Sequence, residues 1–167
     1  MGNVDRLYNA LLDNLENQHE SYSELLALAD KKRDILIKGD IKLLEEITSI
    51  EQEIVIKLGK MEDEREYIIS RIAEGCKKDV SEVDGKFLES MIPEEKAFFF
   101  KEQKEKLKAV LHELAEKNKT NERLINKALE YIQYSLRVIT EAGRQETGYN
   151  ACGNPENKSV NFIDRKA

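Results

Sequence analysis

The sequence predicts an all-α protein, an antiparallel helical bundle or coiled coil of three long helices with a short connecting helix and a flexible C-terminal tail. Of its 167 residues, 36% are charged and 40% are apolar, and the mean hydropathy is −0.61. Only eight glycines and two prolines interrupt the chain. Apolar residues recur every three or four positions, which is the spacing of a helix that buries one narrow face. This combination is typical of long, packed helices.

The first helix is predicted over residues 3–37. Gly39 can adopt a left-handed conformation that ends this helix, and Asp40 can cap the next one. So short a connection makes the two helices antiparallel neighbours. The seam positions of the first helix are Val4, Tyr8, Leu11, Leu15, Gln18, Tyr22, Leu25, Ala29, Lys32 and Leu36.

The second helix is predicted over residues 40–74, with Gly75 as its C-cap. Glu51 and Arg65 interrupt its seam, either as a polar layer that fixes the register or as residues at the edge of the seam. The edge position is favoured, because long charged side chains reach solvent easily. The seam positions are Leu44, Ile47, Glu51, Ile54, Leu58, Met61, Arg65, Ile68 and Ile72.

A short helix over residues 79–91 is predicted to lead into the third long helix, residues 93–142. The third helix begins at Pro93 and contains no glycine, so it would be ~75 Å long against ~52 Å for the others. Its middle, residues 116–122, is almost wholly polar. This composition fits a bend, a solvated stretch, or a helix that extends beyond the ends of its partners. Because two shorter helices cannot cover it, we expect part of its apolar face to be left for another molecule.

The domain prediction is a bundle at residues 1–142 followed by a tail at 143–167. The tail contains Gly148, Gly153 and Pro155 together with four asparagines, which is a loop-like composition. Either the tail is an untethered terminus, or it is a linear peptide that becomes ordered on binding.

Charge and hydropathy argue against nucleic-acid and membrane partners. The net charge is −6, the acidic residues dominate the first 75 positions, and no basic stripe with aromatics is present, so no nucleic-acid binding is expected. There is no run of about 18 apolar residues and no signal-peptide pattern, so no membrane insertion is expected. Cys76 and Cys152 lack metal-site spacing, which favours a reducing, cytoplasmic location.

No catalytic or cofactor site is predicted. Glu16 and His19 have the E-x-x-H spacing of a di-iron bundle, but such a site needs a second pair. The other histidine, His112, has Ala109 three positions before it. We therefore expect no metal, no cofactor and no enzymatic activity.

Several segments together resemble the FlgN-type flagellar export chaperones, which serve the hook–filament junction proteins. The similarity extends over nearly the whole chain, and residues 121–136 are its most characteristic part. The segments are LLALADKKR at 25–33, KGDIKLLE at 38–45, MEDERE at 61–66, NERLINKALEYIQYSL at 121–136, GYNA at 148–151 and FIDRKA at 162–167.

The resemblance implies a cytoplasmic, non-enzymatic chaperone that binds the C-terminal helices of junction proteins, prevents their premature assembly and delivers them to the type III export apparatus. Tyr149 matches a family tail tyrosine that docks at the export gate. The C-terminal half of the third helix is the predicted client site, although the same residues could instead form a bundle core. Its predicted anchors are Leu124, Ala128, Ile132, Leu136 and Ile139.

The alternative function is a structural coiled-coil protein, in which this apolar face makes a homodimer. A chaperone with an open client site would instead be a monomer or a weak homodimer. The two hypotheses therefore differ in oligomeric state.

Overall fold

The computed structural model describes the backbone of residues 2–146 and the side chains of residues 5–142. It contains α1 (Gly2–Lys38), α2 (Ile41–Cys76), a 3₁₀ turn (Val80–Glu82), α3 (Gly85–Ser90) and α4 (Glu94–Glu146). No strand occurs in this part of the chain, and the long helices pack against one another. The predicted all-α class is confirmed.

The turn between α1 and α2 has the predicted geometry. Gly39 has a φ of 70°, and its N–H donates to the carbonyl of Ile35 at 2.9 Å. Asp40 caps α2, since its Oδ1 accepts from the N–H of Leu43 at 3.1 Å. Only glycine adopts the left-handed region without a Cβ penalty, so the sequence fixes this turn locally.

The end of α2 differs from the prediction. Gly75 lies inside the helix, and Lys77 takes the left-handed position at φ 55°. The Lys77 N–H donates to Glu74 at 3.1 Å, and that of Lys78 donates to Ala73 at 3.0 Å. Cys76 packs against the core, so the helix gains buried contacts by continuing past the glycine. Likewise, α4 continues through Gly143 to Glu146.

The short helix predicted over residues 79–91 is divided into the 3₁₀ turn and α3. Two aspartates cause the division, because each begins its own element. The Asp79 N–H donates to Glu82 Oε2 at 3.0 Å, and Asp84 Oδ1 accepts from the N–H of Phe87 at 2.7 Å. Val83 and Leu88 are the residues of this segment that are buried in the core.

The chain forms two compact units, Met1–Ile125 and Asn126–Ala167. The first unit holds two buried clusters. One contains Tyr8, Leu11, Leu15, Ile68, Ile72, Ala73, Val83, Leu88 and Phe100. The other contains Leu25, Ala29, Ile54, Leu58 and Leu114. The rings of Tyr8 and Phe100 are 5.7 Å apart, which joins α1 to the start of α4.

The second unit is described over residues 126–146, all of them in α4. The boundary between the units thus falls inside this helix. The predicted division into a bundle at 1–142 and a tail at 143–167 stays a prediction, because the residues after Glu146 lie outside the described part.

The two charged residues of the α2 seam behave differently. Glu51 Oε2 accepts from Lys32 Nζ of α1 at 2.5 Å, and both side chains are largely buried. Glu51 is therefore part of a polar layer between the helices, which is the interpretation that the sequence disfavoured. Arg65 pairs with Glu62 of its own helix and is a third exposed, so the edge interpretation holds for Arg65.

Candidate functional site

Polar contacts attach the middle of α4 to α1. Lys117 Nζ donates to both carboxylate oxygens of Asp30 at 2.7 Å, and Asn121 Nδ2 donates to the carbonyl of Ala29 at 2.8 Å. The hydrogen bond from Lys117 lowers the pKa of the Asp30 carboxyl, and it raises the pKa of the Lys117 ammonium. The polar stretch 116–122 is helical, and five of its seven residues are exposed, which agrees with the solvated stretch among the three interpretations. Its other two residues, Lys117 and Asn121, provide partners for α1, which the sequence did not predict.

Beyond this attachment α4 carries a broad apolar surface, which we call the C-terminal apolar face. Its members recur three, four or seven positions apart, so they lie on one side of the helix. They are Leu124, Ile125, Ala128, Leu129, Tyr131, Ile132, Leu136, Val138 and Ile139.

The predicted client anchors all lie on this face, and all but one are exposed. Ile132, Leu136 and Ile139 expose 52%, 57% and 67% of their surface, and Ala128 is exposed as well. Leu124 is half-buried. Exposure leaves these side chains free for a partner, and their role in binding one stays a prediction. Tyr149 lies outside the described residues.

The choice of anchors left out part of the face. Ile125, Leu129, Ile132, Leu136 and Ile139 follow one another in steps of four, three, four and three, which is an unbroken coiled-coil row. The predicted set took Leu124 and Ala128 from the neighbouring row. The step pattern alone could have identified Ile125 and Leu129, which are both exposed.

A concave surface lies within the first unit, and the sequence did not predict it. It is a groove of about 540 Å³, open to solvent, whose lining comes from α1, α2 and α4. Leu25 and Lys32 contribute from α1, Glu51 and Val55 from α2, and the stretch of α4 from Leu114 to Ile125 supplies the rest. The Lys32–Glu51 ion pair is thus part of the groove lining.

The described residues offer no arrangement suited to a metal. Within residues 5–142 no group of three or more histidine, cysteine, aspartate or glutamate side chains could hold an ion. His112 is exposed, and His19 is half-buried on α1. None of the helices in this part of the chain is long and apolar enough to cross a membrane. The C-terminal apolar face and the groove remain as the two candidate sites.

The comparison with protein families matches the chain over residues 1–157 to the model described as FlgN protein. No curated protein and no solved structure matches it. The match includes both candidate surfaces, α1 to α4, and part of the segment after Glu146.

Proposed function

The chain belongs to the FlgN family of flagellar export chaperones, and from this premise we propose that it binds the C-terminal helices of hook–filament junction proteins. On this proposal, the chaperone keeps its clients unassembled in the cytoplasm and delivers them to the export apparatus. The family is one of chaperones rather than of enzymes, and the proposal assigns no reaction to the chain.

The observation that carries the proposal is the exposure of the C-terminal apolar face. Large apolar surfaces on monomeric proteins mark sites for partners. A helical client can lay its own apolar side into such a surface, with anchors at positions i, i+3, i+4 and i+7. Covering a half-exposed Leu or Ile removes water from its remaining surface, which is worth about 1 kcal/mol for each side chain. The row from Ile125 to Ile139 supplies five such side chains.

The polar side of the same helix supplies a matched control. Arg123, Glu130 and Arg137 are exposed, follow one another seven positions apart and lie outside the apolar face. Replacing these three by glutamine changes as many side chains as replacing Ile132, Leu136 and Ile139 by glutamine. Glutamine is also a good helix former, so both triple variants should keep α4 helical.

The test measures binding of the purified C-terminal region of a junction protein by titration calorimetry. The apolar-face variant is expected to lose at least a hundredfold in affinity, and the polar-side variant less than threefold. Circular dichroism checks that both remain helical. Unchanged affinity in the apolar-face variant would place the client site elsewhere on the molecule.

Delivery to the export apparatus is proposed to depend on Tyr149, on the strength of the family resemblance. A Tyr149→Ala variant should bind the junction protein as the unmodified chain does, and it should bind purified export-gate components more weakly. A variant that keeps normal gate binding would remove Tyr149 from the proposal and leave client binding untouched.

A further inference from the structure

The C-terminal apolar face is two rows wide, and each row follows alternating steps of four and three along α4. The Ile125 row consists of Ile125, Leu129, Ile132, Leu136 and Ile139. The Leu124 row consists of Leu124, Ala128, Tyr131, Ser135 and Val138. At about 100° per residue, the two rows together cover about 180° of the helix surface. The charges between residues 126 and 142 are confined to about 80° on the other side, at Lys127, Glu130, Arg137 and Glu141.

Both rows extend back toward the start of α4, where only the Leu124 row is covered. There its members are all buried or half-buried, namely Phe100, Gln103, Leu107, Val110, Leu114, Lys117 and Asn121. The Ile125 row is mostly polar and exposed over the same stretch, at Lys101, Lys104, Lys108, Leu111, Ala115, Asn118 and Glu122. Phe100 and Leu114 belong to core clusters that contain residues of both α1 and α2. One row is therefore sufficient where α4 packs against its own fold.

The Ile125 row becomes wholly apolar at Ile125 and remains so to Ile139, and all of its members there are exposed. A helix on the surface of a globular protein typically buries an apolar stripe of about 100°. The C-terminal apolar face is nearly twice as wide as such a stripe. A single partner helix would therefore cover one row and leave most of the other row in water.

The residue types of the Ile125 row also favour an assembly of more than two helices. In heptad notation, leucines 129 and 136 take position a, and isoleucines 125, 132 and 139 take position d. Leucine at a with isoleucine at d shifts coiled coils from pairs toward three or four helices. The flanking e and g positions carry no charge that would pair with a single neighbouring helix. They are Asn126, Gln133 and Thr140 at e, and Ala128, Ser135 and Ala142 at g.

The polar groups on this side of α4 do not oppose burial. The Ser135 hydroxyl donates to the carbonyl of Tyr131 at 2.9 Å, and the Thr140 hydroxyl donates to that of Leu136 at 2.8 Å. Burying a polar group costs little when its hydrogen bond is kept. Ala128 and Ser135 are also small, and the distance between packed helices depends on the side chains at the contact. A helix can therefore approach the Leu124 row closely at two positions one heptad apart.

We propose that two helical segments of one client molecule bind the C-terminal apolar face side by side, one on the Ile125 row and one on the Leu124 row. The inference rests on the proposed function and adds the form in which the client is recognised. Each segment has about 15 residues, because the face is about 22 Å long. Two segments of one chain are favoured over two separate molecules, since the second segment binds at a high effective concentration once the first is bound.

Substitutions in the Leu124 row test for the second segment. Tyr131→Gln/Val138→Gln removes two large side chains from that row and leaves the Ile125 row unchanged. The matched control is Glu130→Gln/Arg137→Gln, which changes the two preceding residues on the charged side. Affinity for the purified C-terminal region of the junction protein is expected to fall at least tenfold in the first variant and less than threefold in the control. Equal affinities of the two variants, both helical by circular dichroism, would overturn the second segment.

Photo-crosslinking distinguishes one client segment from two. Benzoylphenylalanine replaces Leu129 of the Ile125 row in one variant and Tyr131 of the Leu124 row in another, at positions about 160° apart around the helix. After irradiation with the same client region, mass spectrometry should identify two different client segments. Crosslinks from both positions to one segment would overturn the inference. A crosslink from either position to a second copy of this chain would make that copy the occupant, and it would overturn the inference as well.

The outcomes separate this inference from the function on which it rests. Lost binding by the triple variant of Ile132, Leu136 and Ile139, together with normal binding by Tyr131→Gln/Val138→Gln, overturns the second segment and leaves a chaperone with a single client helix. Absence of client binding by the unmodified chain overturns the chaperone function itself.

Discussion

Phe100 and Val138 lie in one row of α4, yet Phe100 exposes 4% of its surface and Val138 exposes 46%. The row alternates steps of three and four and consists of Phe100, Gln103, Leu107, Val110, Leu114, Lys117, Asn121, Leu124, Ala128, Tyr131, Ser135 and Val138. Phe100 is packed against Tyr8 of α1 in the first core cluster. Among the described residues, nothing covers Val138 to a similar extent. The two regions of α4, the first up to Ile125 and the second beyond it, therefore have similar patterns of apolar residues and different environments. A regular apolar row shows that a helix has a partner surface, and it does not show which molecule supplies the partner.

The long polar side chains of α4 show the same contrast, while the Thr120 hydroxyl of the first region donates to Glu116 of its own helix at 3.1 Å. In the first region, Lys117 and Asn121 donate to groups of α1. In the second, the hydroxyls of Ser135 and Thr140 donate to carbonyls of their own helix, at 2.9 and 2.8 Å. Hydroxyl groups commonly bond to the preceding turn when no other partner is near. These hydroxyl groups of the second region thus find their hydrogen-bond partners within α4 itself.

The largest expected effect lies in the buried region. Phe100→Ala should lower the free energy of unfolding by about 3–5 kcal/mol, because it removes a buried ring and leaves a cavity beside Tyr8. Urea unfolding followed by circular dichroism measures this loss. Tyr131→Ala, at an exposed position of the same row, is the control. A loss below 1 kcal/mol for Phe100→Ala would show that the two regions are not distinguished by burial.

A smaller loss is expected from the ion pair between α1 and α2. Lys32→Met leaves the largely buried Glu51 carboxylate without its partner and should cost about 2 kcal/mol, the range of hydrogen bonds to charged groups. Adding Glu51→Met removes the unpaired charge and should recover part of this loss. Urea unfolding of the two single variants and the double variant completes the cycle. Strictly additive losses would show that the two residues do not interact.

The attachment of α4 to α1 gives a pH dependence. Because Lys117 lowers the pKa of Asp30, the carboxylate stabilises the folded chain above its ordinary pKa of about 3.9, and this contribution is lost as the pH falls through the lowered value. The difference in unfolding free energy between the unmodified chain and Lys117→Met should be steady between about pH 5 and 7 and should shrink below about pH 4. A difference that persists at pH 2 would assign the effect to packing of the lysine stem.

The smallest effect is expected on the exposed region. Leu136→Ala should change the free energy of unfolding by less than about 0.5 kcal/mol, because the side chain is more than half exposed and alanine favours the helix. The same urea experiment measures it. A loss above 1 kcal/mol would mean that the C-terminal apolar face is covered in the isolated protein.

Elements fixed by local chemistry were predictable from sequence. Gly39 and Asp40 define their turn through backbone conformation and one cap, and both signals lie within a few residues. Gly75 was misleading because a glycine inside a helix costs only about 1 kcal/mol, which the packing of Cys76 can offset.

The groove could not be predicted from the apolar row of one helix, because its lining comes from three helices. The spacing of Leu114 and Asn121 shows that α4 has a buried face. It does not show that this face contacts α1, or that a groove is left between α4 and α2. For the same reason, the sequence placed Glu51 at an edge. Only the position of Lys32 on the facing helix shows that the glutamate has an ionic partner.

The two-residue connection Gly39–Asp40 also limits how this protein can change in length. It fixes the pairing of α1 with α2, so that Asn14 meets Met61 near one end and Lys32 meets Glu51 near the other. An insertion in α1 or α2 alone would displace every contact between the two helices that lies beyond the insertion. Seven residues added to each helix would keep the same faces in contact. Natural relatives should therefore differ here by paired, whole-heptad steps, and α4 can vary freely only beyond its attachment at Asn121.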